Sequence, residues 1–435
     1  MNILIVGAGG REHTLAWKLK QSPLCQNLFI APGNAGTAQF GNNLDIVVTD
    51  FEKLAEACLL HDVDMLVVGP EEPLVKGIYD FFKNNEATNH IKVIGPSAQA
   101  AQLEGSKAYA KAFMQRNQIP TAAYEEFTHE NFDDGLQYIQ NHSLPIVLKA
   151  DGLAAGKGVL ICQSHLEASA EFELMLHRNK FGSAGDKVVV EEFLNGIEMS
   201  VFALTDGEHY ILLPEAKDYK RVGEGDKGLN TGGMGAVSPL PFFNEALRQK
   251  IIKTIVEPTI LGLHKEKLEY KGFVFFGLMI NGDEPMVIEY NCRMGDPETE
   301  VVIPRMKNDL AELLLATAEK RLVGITVATD DRSAVTMVAV SGGYPGEYEK
   351  GISIEGLENY ENPDTIVFHS GTKQQGTEIL TNGGRVLAVT SFGKDISDAA
   401  QKSKEMLRHI HFEGINYRRD IGYEFVDENE SNLHV

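Results

Sequence analysis

The sequence predicts a multidomain protein of α/β and α+β class that opens with a doubly wound parallel sheet. Three observations carry that expectation. The chain has 435 residues, too many for one ordinary core. Its first hundred residues alternate short apolar runs with helical patterns, and its later apolar runs come in pairs about short turns. Hydrophobic content of 43% and charged content of 23% are globular values.

Taken in order, "NILIVGAGG" reads as a strand and turn, and "EHTLAWKLKQS" as an amphipathic helix with Leu15, Trp17 and Leu19 available for packing. "NLFIAPGNAG", "DMLVVGPEEP" and "IKVIGPS" are further strands and turns. That β-α-β alternation indicates a parallel sheet. Its glycine-bearing turns gather at the carboxyl ends of the strands, where open α/β sheets bind ligands. The character changes after about residue 105, which gives domains of 1–105, 106–317 and 318–435. In the second, "PIVLKADGLAAGKGVLICQ" is two apolar runs about a glycine-rich connection. "KVVVEEFLNGIEMSVFALTDG" reads as a hairpin about Asn-Gly, and "GFVFFGLMINGDEPMVIEYN" as another about "NGDE". The third is a small α+β domain, with "SAVTMVAVSGGYPG" and "GGRVLAVTSFG" bracketing shorter strands and "DISDAAQKSKEMLRHI" supplying a helix.

A net charge of −22 argues against a general nucleic-acid or membrane-surface binder. The cysteines Cys25, Cys58, Cys162 and Cys292 contain no C-x-x-C pair, so neither a disulfide framework nor a zinc site is expected, and a reducing compartment fits. No signal-peptide pattern and no apolar run of about 18 residues is present. The expectation is a cytoplasmic protein with neither nucleic-acid nor membrane partners.

Four stretches carry chemistry. "GAGGREH" at 7–13 fails the dinucleotide fingerprint twice: Glu12 stands where its third glycine belongs, and the second strand ends in Ala31-Pro32-Gly33 without the ribose-binding acid. An anion held at a helix N-terminus, helped by Arg11, is preferred to an empty turn, because "APGNAGT" and "GPEEP" reach the same edge. "KADGLAAGKG" at 149–158 is not a Walker loop: it lacks Ser or Thr after Lys157 and runs into a strand. Gly152, Gly156 and Gly158 nevertheless expose backbone N–H groups, and Lys149 and Lys157 add charges suited to phosphates. "DYKRVGEGDKGLNTGGMGAVSP" at 218–239 is a long glycine-heavy connection, read as a substrate loop in preference to a solvated flap.

The fourth stretch is "MVIEYNCRMGDPETE" at 286–300. Residues two apart on a strand share a face, so Glu289, Asn291 and Arg293 form a polar row that Val287 would share, with Ile288 and Tyr290 opposite. Carboxylate and amide oxygens so spaced suit Mg²⁺, which takes few protein ligands and completes its shell with phosphate and water. The bland alternative is an exposed ion pair between Glu289 and Arg293. With the glycine-lysine loop supplying phosphate donors, the metal end of an ATP site is the stronger reading.

"KADGLAAGKG", "EEFLNGIE" and "IEYNCRMGDPE" resemble the ATP-grasp fold, in which ATP is clasped between two α+β subdomains, one a mobile lid, here expected at about 122–193. "GAGGREHTLAWKL", "APGNAGTA", "VGPEEPLVKGI", "AQLEGSKAYAK", "NTGGMGAVSP", "CRMGDPETE" and "YRRDIG" resemble, in order, the phosphoribosylamine–glycine ligase family. The resemblance implies that 5-phosphoribosylamine, glycine and ATP give glycinamide ribonucleotide, ADP and phosphate through glycyl phosphate, with Mg²⁺ (or Mn²⁺), in purine biosynthesis. It matches Glu289 and Asn291 to the metal, Lys107 and Lys149 to nucleotide phosphates, and 152–158 to the lid loop. The backbone of Glu191, Glu192, Phe193 and Leu194 is matched to adenine, Glu198 to ribose, and Asn230 is set with the nucleotide. Gly9, Gly10, Arg11, Gly33, Asn34, Gly36, Thr37, Pro70 and Glu71 would form the phosphoribosylamine pocket. Arg293 is expected to stabilise the transferring phosphoryl group or hold the glycine carboxylate, and Asp218 to meet the glycine ammonium. A monomer is expected.

Two departures stand out. Gly277 occupies a place where many ATP-grasp enzymes carry an acidic metal ligand, so a second ion would lean on phosphate, water or Asp296. Tyr219 stands where many family members have His, and is given no role. The rivals are another ATP-grasp carboxylate–amine ligase, a nucleotide-binding module without turnover, and a dehydrogenase.

Overall fold

Runs of β-branched and leucine residues set the frame. The strands Asn2–Gly7, Asn27–Pro32, Asn42–Asn43, Met65–Val68 and Lys92–Pro96 pair in parallel, with Asn2–Gly7 in the middle. Ile3, Leu4, Ile5 and Val6 are fully buried, as a parallel strand covered on both faces requires. The computed structural model describes residues 1–153, 158–178, 180–358 and 362–426. Among them no helix is long and apolar enough to cross a membrane, and all four cysteines are buried and unpaired.

This sheet does not stop where the N-terminal segment ends. Lys92–Pro96 pairs antiparallel with the start of the long strand Tyr270–Asn281, through Tyr270 opposite Pro96 and Lys271 opposite Gly95. A Cβ on Gly272 would lie 3.2 Å from the Gly95 nitrogen, so the backbones meet where neither side carries a side chain. Tyr270–Asn281 then pairs with Ile197–Thr205 and with Glu284–Asn291. The result is one nine-stranded sheet.

A separate four-stranded antiparallel sheet is built from Tyr124–Thr128, Lys187–Glu192, Ile146–Ala150 and Val159–Cys162. The helices Phe132–Asn141 and His165–His177 contribute to its own core, with Phe127, Ile139, Leu148, Phe172, Val188 and Val190 buried together. The expected hairpin about Asn195-Gly196 does not form. Lys187–Glu192 is paired on both edges within the small sheet, so Ile197–Thr205 has no free edge there and joins the nine-stranded sheet instead. Residues 193–196 are a crossing between sheets. Gly196 has φ +146°, and a Cβ there would overlap the Ile280 carbonyl, so the crossing needs glycine. The inbound linker lies beside it: Ala123 N–H donates to Glu192 Oε1 at 2.9 Å, and Glu192 N–H to Ala123 O at 3.0 Å.

The stretch 218–239 also differs from the open connection expected. Arg221–Gly223 and Lys227–Asn230 form a small ladder, while Lys217–Asp218 and Gly235–Ser238 join a five-stranded sheet with Ser333–Val340, Arg385–Gly393 and Thr365–His369. Met234, Ala236 and Val237 are fully buried. That burial makes the end of the stretch a core strand, which its glycine content concealed.

Candidate active site

The Glu284–Asn291 strand carries a bulge opposite Gly277 and Leu278: Glu289 pairs with Gly277 and Val287 with Leu278, leaving Ile288 extra. The insertion resets the alternation. Val287 is buried in the core beside Tyr290 instead of sharing the polar face with Glu289, a correction to simple period-two reading. A Cβ on Gly277 would stand 3.2 Å from Glu289 Cγ, so this glycine leaves room beside the carboxylate.

The Glu289 carboxylate has no direct hydrogen-bond or ion-pair partner among the described residues, and lies in the fields of Lys107 and Lys220. Asn291 Oδ1 accepts from Arg293 Nη2 at 3.3 Å. The alternative Glu289–Arg293 pair is not made. Arg293 Nη2 lies 2.8 Å from Glu104 Oε1 and its Nε 3.5 Å from Glu71 Oε2. Burial pushes the Glu104 carboxyl up against the pull of Arg293, whereas Arg293 and Arg11 outweigh burial at Glu71 and hold it low.

Lysines from the small sheet and its entrance close on this strand. Lys149 is 5% exposed; its Nζ lies 2.9 Å from Glu191 Oε2 and donates to Ile288 O at 3.2 Å, joining the small sheet to the Glu284–Asn291 strand. Lys111 Nζ reaches the same Glu191 oxygen at 3.2 Å, and burial brings its pKa down to about 8 although Glu191 resists. Lys107 Nζ donates to Gly152 O at 3.4 Å and is lowered by burial against the field of Glu289. Gly152 N–H donates to Ala184 O at 3.2 Å, and Gly158 O accepts from Ala150 N–H at 2.8 Å, fixing both ends of the glycine loop. Gly156 and Lys157 lie outside the described residues. Phe193 and Leu194 are half-buried on the crossing, and Asn230 is exposed at the end of its ladder.

Across the cleft, Lys220 Nζ lies 2.6 Å from Glu198 Oε2, the side chains 44% and 42% open to solvent. Burial opposes the Lys220 charge, but Asp218, Glu198 and Glu289 outweigh it and raise its pKa. Asp218 is raised by burial, with Lys220 opposing. Tyr219 faces away: it is 1% exposed and donates its hydroxyl to Glu424 Oε2 at 2.8 Å.

The turns of the parallel sheet meet the segment after Asn291. Gly33 N–H donates to Gly7 O at 3.1 Å and Gly69 N–H to Val6 O at 2.9 Å, which sets the three turns side by side. Glu12 is buried in the slot where a fingerprint glycine would stand, accepting Gly9 N–H at 2.6 Å and Arg11 Nε at 2.5 Å. Arg11 Nη1 donates to Met294 O at 3.2 Å, and its backbone N–H to Asp296 Oδ2 at 3.3 Å, so Arg11 braces the turn as much as it faces it. Asn34 is a strut: Nδ2 donates to Ala8 O and His369 O, both at 2.8 Å, and Oδ1 accepts from Gly36 and Thr37 N–H. Pro70 caps the short helix that Glu71 begins, and Gly10 faces Glu300 and Ser370.

Four participants escaped the sequence reading. Lys220 shares an extended stretch with Asp218 two residues earlier, a spacing that was available as a signal. Glu104 lies in the motif "AQLEGSKAYAK", where no local pattern marks the carboxylate that meets Arg293. Arg385 reaches Asp296 from a strand far along the chain, with Nη1 2.7 Å from Asp296 O and 3.2 Å from Oδ1; no local pattern announces it. Glu298 is buried with its carboxyl pushed up to about 8 by desolvation and by Asp218. Asp296 is committed to Arg385 and the first helix.

Family models for phosphoribosylglycinamide synthetase match the chain in three parts: the N domain at 1–104, the ATP-grasp (A) domain at 105–299 and the C domain at 334–424. A protein of Yersinia pestis described as phosphoribosylamine–glycine ligase is 46% identical over 430 residues, covering 98% of this chain and 99% of that one. One of Escherichia coli (strain K12) with the same description is 45% identical over 435 residues, covering 99% and 100%. The crystal structure of phosphoribosylamine–glycine ligase from Thermotoga maritima superposes with TM-score 0.83 at 34% identity, covering 97% of this chain and 100% of that one. Biotin carboxylase from Campylobacter jejuni shares the fold at TM-score 0.73 and 14% identity, covering 99% and 96%.

Proposed function

The chain belongs to the phosphoribosylglycinamide synthetase family, matching all three of its domains, and from that premise we propose how its residues divide the work. The enzyme ligates glycine to 5-phosphoribosylamine at the expense of ATP, giving glycinamide ribonucleotide, ADP and phosphate in purine biosynthesis. The observation that best supports the division is the cleft in which Lys107 lies in the field of an unpartnered Glu289 while Lys149 reaches the neighbouring Ile288 carbonyl.

ATP and a divalent metal serve the ATP-grasp domain; for the metal we assign Mg²⁺ (or Mn²⁺) to Glu289 and Asn291. The fit rests on oxygen donors alone, a carboxylate without a protein partner, and the space beside Gly277. Among the described residues no three His, Cys, Asp or Glu side chains converge on a metal position, which suits an ion that shares its shell with phosphate oxygens. When bound, the ion supplies charge neutralisation for the transferring phosphoryl group.

Lys107, Lys149 and the 152–158 loop position the triphosphate, a role that needs placement and charge more than proton transfer. The 191–194 backbone meets the adenine, Glu198 the ribose, and Asn230 the nucleotide edge. Arg293, anchored by Glu104 and Glu71, holds the glycine carboxylate or the phosphoryl group in flight. Asp218 receives the glycine ammonium. The carboxylate attacks the γ-phosphorus, and the amine of phosphoribosylamine, seated among Gly9, Gly10, Arg11, Gly33, Asn34, Gly36, Thr37, Pro70 and Glu71, displaces phosphate from glycyl phosphate. Closure of the small sheet keeps water from that intermediate.

We assign 1–105, 106–317 and 318–435 as the working domains, and a cytoplasmic monomer as the acting form. Mass spectrometry of the product from ATP, glycine and freshly generated phosphoribosylamine tests the reading. Glycinamide ribonucleotide is expected only when all three are present; ADP release with formate or bicarbonate and not with glycine would overturn it.

A further inference from the structure

Away from the ATP cleft, the helix Ile396–His409 and residues 417–419 border an open surface pocket of about 190 Å³ lined by Lys404, Arg408, Tyr417 and Arg419. Three of these four groups are cations, in a chain whose net charge is −22. Lys404 and Arg408 stand four residues apart on one helix face, a spacing at which like charges repel. Among the described residues, none of the three cationic side chains makes a hydrogen bond or ion pair with a carboxylate. The carboxylate that acts on Lys404 is Glu224, whose Oε1 accepts the Arg419 backbone N–H at 3.3 Å. Burial and Arg408 together push the Lys404 ammonium below its usual range.

Arg418 next door shows the contrast. It is 1% exposed and paired with Asp226 at 2.6 Å and Asp420 at 2.8 Å. Charge is paired directly there, whereas at the pocket three cations share the field of the single carboxylate Glu224 without a direct pair. Three converging cations that share the field of one carboxylate, Glu224, and pair directly with none have the composition of an anion subsite, and the planar fork of arginine fits phosphate oxygens in pairs. The pocket is smaller than the ~300 Å³ at which pockets begin to enclose drug-sized molecules, so it suits one headgroup. Arg419 lies 5.8 Å from the Tyr417 ring centroid, which walls one side.

We propose that Lys404, Arg408 and Arg419 form a second anion site, outside the catalytic cleft, that takes a phosphate group, either free phosphate or a phosphate monoester. The anion ties the helix Ile396–His409 to the 417–420 segment. That segment grips the 221–226 turn: Arg418 Nη1 donates to Arg221 O at 3.2 Å, and Asp420 Oδ2 accepts Gly225 N–H at 2.7 Å. Lys220, the preceding residue, pairs with Glu198 in the cleft. Occupancy of the site therefore stiffens the turn that directly follows Lys220.

The test compares the full chain with Arg408→Gln/Arg419→Gln, both carrying Mg²⁺ and a non-hydrolysable ATP analogue in the cleft. Inorganic phosphate and ribose 5-phosphate are titrated separately by calorimetry, and amide exchange is followed over 221–230. Both substituted side chains are exposed, so thermal midpoints should agree. The wild type is expected to bind one equivalent more than the variant, with exchange in the turn slowed at least threefold in the wild type alone. An extra equivalent for either ligand supports the site and shows which source fills it. Equal stoichiometry in the two proteins for both ligands, or the same slowing from chloride at matched ionic strength, would overturn it.

Discussion

At the scale of single residues, the cleft is a balance of carboxylates and ammonium groups that ATP and metal would complete. Glu289→Gln keeps shape and loses charge. Turnover should fall at least about 100-fold, while the melting temperature stays within a few degrees, since the carboxylate serves no core contact; steady-state kinetics with calorimetry checks both. Lys220→Met leaves Glu198, Asp218 and Glu289 facing one another without their shared cation. The KM for ATP should rise about tenfold to 100-fold, the equivalent of about 1.5–3 kcal/mol for a lost charged hydrogen bond. Glu289, Asn291 and Lys149 were legible because strand alternation and a glycine-lysine loop are local patterns. Lys220 shares its stretch with other charges and became distinct only when folding set it against Glu198. Arg385 owes its place beside Asp296 to contacts across some ninety positions of chain, and no local pattern encodes that.

At the scale of elements, two junctions decide how the layers hold. Gly196→Ala would force a Cβ into the Ile280 carbonyl at φ +146°. Urea unfolding should show a loss of about 1–3 kcal/mol, and an unchanged midpoint would mean that the crossing has room to shift. The second junction ties the first helix to the C-terminal sheet, where His13 Nδ1 accepts His369 N–H at 2.6 Å. Burial, aided by His369, lowers His13 to about 3, and burial lowers His369 to about 4. Both are neutral when folded and bind protons near 6.5 when unfolded, so their stability is fully present above 6.5. It is lost as pH falls toward 4 and then 3, at up to about 1.4 kcal/mol per pH unit for each. The melting temperature should fall less steeply from pH 6.5 to 4.5 in His13→Asn than in wild type; parallel slopes would remove His13 from the account. The parallel strands and the Glu284–Asn291 hairpin were readable from apolar period and turn residues. The Asn195-Gly196 crossing was not, because a hairpin turn and a passage between sheets share the same two residues, and only the paired edges of Lys187–Glu192 exclude the first. The bulge near Val287 was hidden for a similar reason: one extra residue in a strand leaves composition untouched.

At the scale of the whole molecule, the four-stranded sheet has its own core and is joined to the rest by two adjacent linkers. Adding MgATP and glycine should slow amide exchange across 146–162 by at least tenfold, while 3–6 and 272–280 stay as they were. Equal slowing everywhere would mean general tightening in place of closure. The C-terminal sheet, which sequence composition offered only as a small third unit, supplies Arg385 to Asp296 and the His369 and Ser370 carbonyls to Asn34, in the turn proposed to hold substrate. Its removal should therefore abolish turnover, measurable as ADP release, and not merely lower solubility.

The pairing of Lys92–Pro96 with Tyr270–Asn281 carries one more implication. Because hydrogen bonds run unbroken from Asn2–Gly7 through Tyr270–Asn281, the two halves form one continuous sheet, and under the proposed roles they would act as a single anvil against which only the four-stranded cap moves. Particle images sorted by cap position should then align on one invariant body, and the two reacting molecules would meet on a platform whose spacing thermal jostling hardly alters.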